Sequence, residues 1–150
     1  MVEAGDLDGL KRLTRNIPPT DLVKMSITGQ YTPLIFAIDK ERRDIVRWLV
    51  EEKHADVNLS VKNESALQRA IFRNNELIVK DLLDFGVDMN KKMFHTEWTM
   101  PLFAIMRDKP RLLDMMLERG ASIEYDMTRE HVRLLLVGKT KPIETVFFKH

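Results

Sequence analysis

A repeat of 33 to 34 residues is the feature that most restricts how this chain can fold. The dipeptide Ala-Ile occurs three times at this interval. An apolar pair follows each copy, and these pairs recur at the same interval of 33 to 34 residues. The copies are Ala37-Ile38, Ala70-Ile71 and Ala104-Ile105, and the apolar pairs are Ile45-Val46, Ile78-Val79 and Leu112-Leu113. A period of this length is typical of stacked supersecondary units, none of which can bury its apolar face alone.

Within each unit, the apolar residues have helical spacing. Ile45, Val46, Leu49 and Val50 fall on one side of a helix, and the two later units repeat the pattern. The polar residues between them are predicted to face solvent, and they include Arg47, Lys80, Asp81 and Asp114. Each unit is therefore expected to be a helix pair that stacks on its neighbours.

The expected helix boundaries carry their own signals. Thr32 followed by Pro33 favours a helix start, and Pro110 after Lys109 favours another. Gly86 and Gly120 follow the last apolar residues of two units, where a left-handed backbone would end a helix. The segment 15–29, which contains Pro18-Pro19, is expected to be a long loop.

The start of each unit resembles the ankyrin-repeat family. The segment 32–38 reads Thr-Pro-Leu-Ile-Phe-Ala-Ile, which is similar to the family signature Thr-Pro-Leu-His-x-Ala-Ala. Ser65 to Ala70 and Thr99 to Ala104 resemble the same signature, and Gly5 to Leu13 resembles the second helix of a leading repeat. This resemblance covers about residues 4–123. It implies an all-α solenoid of stacked helix-turn-helix units with short β-hairpin-like loops.

Residues 1–150 are expected to form a single ankyrin-repeat domain. The expected divisions are a partial repeat with a long loop at about 1–28, three repeats at 29–61, 62–94 and 95–124, and degenerate capping helices at 125–150. A solenoid needs such caps to cover its last apolar face. The tail is also basic, and a weak second site for an acidic peptide or a phosphate remains an alternative reading of Arg129, Arg133, Lys139, Lys141 and Lys149.

Composition argues against most kinds of chemistry. Lys plus Arg number 24 and Asp plus Glu 23, so the net charge of +1 gives no drive toward nucleic acid or anionic membranes. Cysteine is absent, the four histidines lack metal-ligand spacing, and no Gly-rich loop or nucleophile elbow occurs. We therefore expect no catalytic residue, no metal, no cofactor, no small-molecule substrate and no membrane insertion.

The resemblance implies a binding surface on the concave side, formed by hairpin tips and by the exposed ends of the first helices. Several members are aromatic residues or arginines, which binding hot spots favour. Trp98 and Phe94 have an alternative, which is to fold back onto their own hairpin, and Trp48 is expected to pack or to lie on the convex side. The expected partner-binding residues are Tyr31, Asp39, Lys40, Glu64, Phe72, Arg73, Phe94, His95, Trp98, Met106 and Arg107.

The function expected from these features is a non-catalytic protein-protein interaction module, acting as an adaptor, scaffold or inhibitor. Its partner would be another protein or peptide, and its location intracellular, in the cytoplasm or nucleus. The alternative is a regulatory or targeting ankyrin domain of a larger enzyme or channel, which the abrupt start at Met1 to Asp6, in what looks like the middle of a helix, favours. Nucleic-acid binding is a distant third.

Overall fold

The computed structural model describes residues 7–13, 15–24, 31–62, 64–93 and 98–123, together with positions 142, 145 and 149. This part of the chain contains eight α-helices and one two-stranded antiparallel sheet. The elements in chain order are α1 (Leu7–Leu13), α2 (Pro19–Lys24), α3 (Pro33–Asp39), α4 (Arg43–Glu51), β1 (Ser60–Val61), β2 (Glu64–Ser65), α5 (Ala66–Arg73), α6 (Glu76–Asp84), α7 (Met100–Met106) and α8 (Pro110–Glu118).

Three helix pairs form the body of the molecule: α3 with α4, α5 with α6, and α7 with α8. The first helices α3, α5 and α7 contact one another in that order, and the second helices α4, α6 and α8 form a parallel row. Ala37, Ala70 and Ala104 are buried at equivalent positions, and Ile38, Ile71 and Ile105 beside them are fully buried. The predicted all-α solenoid is thus confirmed. Below, the solvent side of α3, α5 and α7 is the first-helix face, and that of α4, α6 and α8 is the second-helix face.

The predicted helix boundaries follow from local hydrogen bonds. Thr32 Oγ1 accepts a hydrogen bond from the Ile35 N–H at 3.2 Å, and Ser65 Oγ does the same for the Gln68 N–H at 3.2 Å. These bonds satisfy donors that the first turn of a helix leaves without partners. After the second helices, Gly86 has φ +82° and its counterpart at position 120 has φ +84°, as predicted for left-handed helix ends.

A ladder of side-chain amides joins the turns that follow the second helices. Asn58 Oδ1 accepts a hydrogen bond from the Asp88 N–H at 2.7 Å, and Asn90 Oδ1 accepts one from the Ser122 N–H at 2.8 Å. Each asparagine is itself held by a turn, because its own N–H donates to the carboxylate two residues earlier. The next hairpin begins soon after the first of these turns, with Ser60 paired opposite Ser65.

Two predictions made from the sequence were wrong. Asp81 was expected to face solvent, but only 2% of this residue is exposed, because α6 turns it toward arginines on α4. The segment 15–29 was expected to be only a loop, but it contains α2, which packs against α3 through buried Leu22. Trp48, by contrast, is buried, in agreement with one of its two predicted placements.

The predicted capping helices at 125–150 lie almost wholly outside the described residues. The three described positions, Pro142, Thr145 and Lys149, have helical backbone. Lys149 Nζ lies 3.2 Å from Asp114 Oδ1 on α8, so this point of the tail contacts the last helix pair. The other basic residues proposed for a second site in the tail lie outside the described part.

Candidate functional site

The structure brings most of the predicted partner-binding residues to the first-helix face. Lys40, Phe72, Arg73, Met106 and Arg107 are exposed at the ends of α3, α5 and α7. Four further predicted residues, at the hairpin side and at the end of α3, are half-buried: Tyr31, Asp39, Glu64 and Trp98. The predicted Phe94 and His95 lie outside the described residues. Surface exposure therefore divides the predicted set into two groups.

The half-buried group is organised by Arg69, a residue that the sequence analysis did not select. Its Nη2 atom donates to Glu64 Oε2 at 2.6 Å and to the Tyr31 hydroxyl at 3.1 Å, and Nη1 lies 3.3 Å from Asp39 Oδ1. The guanidinium also lies 5.1 Å from the centroid of the Tyr31 ring. Only 14% of the Arg69 side chain is exposed, so this cluster joins α3, the hairpin and α5 internally.

Arg69 remains positively charged although it is largely buried. Burial lowers the pKa of Arg69, but the hydrogen bond to Glu64 and the charges of Glu64 and Asp39 raise it above its ordinary value. The planar guanidinium allows one side chain to contact three partners at fixed angles. Tyr31 and Asp39 thus join their repeat to the next one through Arg69, and Glu64 holds Arg69 in place from within its own repeat.

The exposed group also has a cation beside an aromatic ring, but its side chains are open to solvent. Phe72 is 48% exposed, and the Arg107 guanidinium lies 4.7 Å from the centroid of its ring. Arg73 reaches back to the preceding repeat, where its Nε donates to the Asp39 carbonyl at 2.9 Å. Met106 completes this surface with 38% exposure. These side chains span two repeat junctions without being enclosed.

Phe36 is a second residue that the sequence analysis missed. It is 38% exposed on α3, and Lys40 Nζ lies 5.4 Å from the centroid of its ring. Phe36, Arg69 and Phe103 occupy equivalent positions of the three first helices, so the repeat period itself contained the signal. The side chains differ in burial, since Phe103 is buried, and the period alone does not reveal this.

Charged pairs on the second-helix face connect the same repeats. Arg43 binds Asp81 with two hydrogen bonds, from Nε to Oδ2 at 2.6 Å and from Nη2 to Oδ1 at 2.9 Å. Arg47 Nη1 adds a third contact to Oδ1 at 3.3 Å. The hydrogen bond from Arg43 holds the pKa of Asp81 below its ordinary value, against the effect of burial. This carboxylate is ionised at neutral pH and belongs to the junction between α4 and α6.

A groove of about 640 Å³ lies between the hairpin and the turn that follows α6. Its two carboxylates are engaged in turns, since Asp56 accepts the Asn58 N–H and Asp88 accepts the Asn90 N–H. Each carboxylate therefore helps to fix the turn that forms one wall of the groove. The other lining residues include Val57, Leu59, Lys62, Leu67, Val87, Lys91, Lys92, Met93 and Met100.

Two further findings concern metals and membranes. Among the described residues, no three His, Cys, Asp or Glu side chains converge as a metal site requires. In the ranges that the structure covers, every helix is too short or too polar to cross a bilayer.

Comparison with known proteins agrees with this architecture. A family profile for ankyrin repeats (3 copies) matches residues 1–93, which is more than half of the chain. The helix pair α7–α8 lies beyond the matched residues but repeats the arrangement of the pairs before it. A search of curated proteins gave no match. Ankyrin repeats generally mediate protein-protein contacts and are typically non-catalytic. The stacked helix pairs, their caps and the profile match together show that this chain belongs to the ankyrin-repeat family.

Proposed function

We propose that this chain is a non-catalytic module that binds another protein or a peptide on its first-helix face. The observation that carries the proposal is the exposure of Phe36, Phe72 and Met106 on one surface, beside the cations Lys40 and Arg107. Burying a large apolar side chain is worth about 1.5–3 kcal/mol, so a partner that covers this surface gains stability. Aromatic groups with arginine are also the composition of hot spots.

The proposal narrows the predicted binding set. Phe72, Met106, Lys40, Arg73 and Arg107 are the direct contacts, with Phe36 added. Tyr31, Asp39 and Glu64 act indirectly because they hold Arg69, and Trp98 lies at the hairpin side of the same surface. The predicted Phe94 and His95 remain candidates for contacts at the hairpin tip.

The role within the cell is an extension of the same proposal. A module of this kind acts as an adaptor, a scaffold or an inhibitor that occupies its target, and needs no cofactor or metal for that purpose. We place it inside the cell, in the cytoplasm or nucleus, which a cysteine-free sequence fits. The proposed domain division remains one domain over residues 1–150, with repeats at 29–61, 62–94 and 95–124.

The test is a pull-down with three forms of the chain. Wild type is compared with Phe72→Ala/Met106→Ala and with a matched control, Leu77→Ala. Leu77 is 56% exposed on the second-helix face, so its removal also deletes an exposed apolar side chain. We expect proteins retained by wild type and by the control to be lost from the double variant, with all three melting temperatures alike. Equal retention by all three forms would overturn the proposal.

A further inference from the structure

Four side chains of the first-helix face alternate between aromatic ring and cation. The Arg69 guanidinium lies 5.1 Å from the centroid of the Tyr31 ring and 5.7 Å from that of the Phe72 ring. The Arg107 guanidinium lies 4.7 Å from the same Phe72 centroid. All three distances are within about 6 Å, where a cation is attracted to a ring. This series, Tyr31–Arg69–Phe72–Arg107, is called the cation–ring stack below.

Arg69 is the fixed member of the cation–ring stack. It is largely buried, it donates to Glu64 and to the Tyr31 hydroxyl, and its Nη1 lies 3.3 Å from Asp39 Oδ1. The planar guanidinium holds these partners at set angles, so it cannot turn without breaking several short contacts. The ring of Phe72 therefore lies beside a group whose position is already determined by the fold.

Phe72 is the exposed member that these contacts restrain. Arg69 and Phe72 are three residues apart in α5, so the helix places their side chains on the same side. Arg107, after α7, adds a contact from the next helix pair. A solvent-exposed side chain ordinarily exchanges rotamers within nanoseconds. A ring with a cation contact from each of two helix pairs is expected to keep one rotamer.

Phe36 provides a comparison on the same face. Its printed cation contact is with Lys40, which follows it by four residues and ends the same helix. The Lys40 side chain is exposed, and a lysine is a point charge on a flexible stem. The contacts that restrain Phe72 from a buried arginine and a neighbouring helix pair have no counterpart at Phe36 among the described residues.

We propose that Arg69 is a positioning residue for the first-helix face. It holds the Phe72 ring in one orientation, so that a partner meets an apolar anchor that is already ordered. Ordering a side chain on binding costs affinity, and a preordered one avoids that loss. Arg69 acts through Phe72 and does not itself contact the partner. The inference rests on the proposed function, because it concerns how the same face binds.

The orientation of Phe72 can be measured without a partner. Three-bond NMR couplings from the backbone N and C′ atoms to Cγ report the χ1 populations of Phe72 in wild type, in Arg69→Lys and in a control, Tyr31→Phe. The control removes one hydrogen bond of Arg69 but leaves its guanidinium beside both rings. Circular dichroism first confirms that each variant is folded.

We expect one dominant χ1 rotamer in wild type and in Tyr31→Phe, and averaged couplings in Arg69→Lys. The couplings of Phe36 should be the same in all three forms. An averaged Phe72 in wild type, or an unchanged Phe72 in Arg69→Lys, would overturn the inference and leave the proposed function standing. A change that reached Phe36 equally would also overturn it, because it would indicate a general loosening of the fold.

A double-mutant cycle measures the effect on binding. Its probe is a 12-residue peptide, selected from a displayed random library on wild type and counter-selected on Phe72→Ala/Met106→Ala. We expect Arg69→Lys to raise the Kd about two- to tenfold when Phe72 is present. In a Phe72→Leu background, which keeps an apolar side chain but no ring, Arg69→Lys should have little effect.

The cycle separates positioning from a merely structural role. If Arg69→Lys weakens binding equally in both backgrounds, Arg69 does not act through the ring and the inference is wrong. If no displayed peptide depends on the first-helix face, the proposed function fails, and the couplings of Phe72 alone decide whether Arg69 orders the ring.

Discussion

Arginines on the two faces of the solenoid make different kinds of contact. On the second-helix face, the guanidinium of Arg43 is fully matched to a buried carboxylate on the next repeat. On the first-helix face, Arg107 lies over an exposed ring instead. A buried carboxylate between two repeats fixes their contact, whereas a cation beside an exposed ring leaves both groups accessible. Arg43 thus joins two repeats through a buried carboxylate, whereas Arg107 is presented to solvent beside an exposed ring.

Pairs along the second-helix face extend this contrast over the whole described solenoid. Each pair joins residues that lie 34 to 41 positions apart, so each joins one unit to the next. The partners have very different exposure, since Glu52 is more than half exposed and Asp81 is almost completely buried. Exposed ion pairs contribute little to the free energy of unfolding, so loss of the pairs at buried Asp81 is expected to have the largest effect. The pairs are Lys11–Glu52, Arg43–Asp81, Arg47–Asp81, Arg111–Glu76 and Arg119–Asp84.

The largest effect is expected from removing both arginines around Asp81. Arg43→Met/Arg47→Met leaves a buried carboxylate without its matched charges, which should lower the free energy of unfolding by about 3 kcal/mol. Urea denaturation followed by circular dichroism measures this loss. Arg111→Met is the control, because its ion pair is exposed and should contribute less than about 1 kcal/mol. Similar losses in the two variants would contradict the contrast between the faces.

Substitution of Phe72 is expected to weaken partner binding and to leave stability almost unchanged. Phe72→Ala removes an exposed ring, so the free energy of unfolding should change by less than about 0.5 kcal/mol. Affinity for a partner of the first-helix face should fall by about 2 kcal/mol, as for a hot-spot residue. Isothermal titration calorimetry and thermal melting give the two numbers. A large loss of stability would show that the ring is structural and would remove the distinction between the faces.

Acid should weaken the second-helix face through Asp81. Its pKa is lower in the folded chain than the ordinary value near 3.9, because Arg43 binds the ionised form. The stabilisation is therefore present above the ordinary pKa and is lost as the pH falls through the lower, folded value. The free energies of unfolding of wild type and Asp81→Asn, measured by urea denaturation, should differ by about 1–3 kcal/mol at pH 7. The difference should shrink only as the pH falls below the ordinary pKa and through the lower, folded value. A difference that stays constant with pH would exclude the carboxylate charge as its cause.

The smallest of these effects is expected at Arg69, which is an exception to the contrast between the two faces. Arg69 lies on the first-helix face but resembles the arginines of the other face, because it joins Glu64, Asp39 and Tyr31. A lysine provides a point charge that cannot contact all three partners, so Arg69→Lys should lower the free energy of unfolding by about 1 kcal/mol. Arg107→Lys on the same face should leave it unchanged. A double-mutant cycle between Arg69 and Glu64 would show no coupling if the cluster were incidental.

The fold was predictable because its causes are local and periodic. Thr32 and Ser65 act as caps within one turn of their own helices, and Gly86 adopts the left-handed backbone its position indicates. The burial of Asp81 was not predictable in the same way, since its position in α6 has the spacing of a solvent-facing residue. Only the approach of Arg43, 38 residues earlier in the chain, makes that burial favourable.

The candidate site was predictable to the extent that it follows the repeat. Register alone predicted the ends of the first helices, and the residues exposed there are Lys40, Phe72, Arg73, Met106 and Arg107. Arg69 was missed because its importance comes from Tyr31, which lies 38 residues away and is brought near only by stacking. Tyr31 and Glu64 are half-buried and bound to Arg69, and register does not reveal which side chains bind each other.

The asparagine ladder has a mechanical consequence. Asn58 bonds to the turn containing Asp88, and Asn90 bonds to Ser122 in the following turn, so within the described residues each ladder bond spans a single junction. A pulling force applied to the two chain ends is then carried by the junctions in series. We expect single-molecule extension to proceed in steps of one helix pair, each releasing roughly 110 Å of chain at about 3.3 Å per residue.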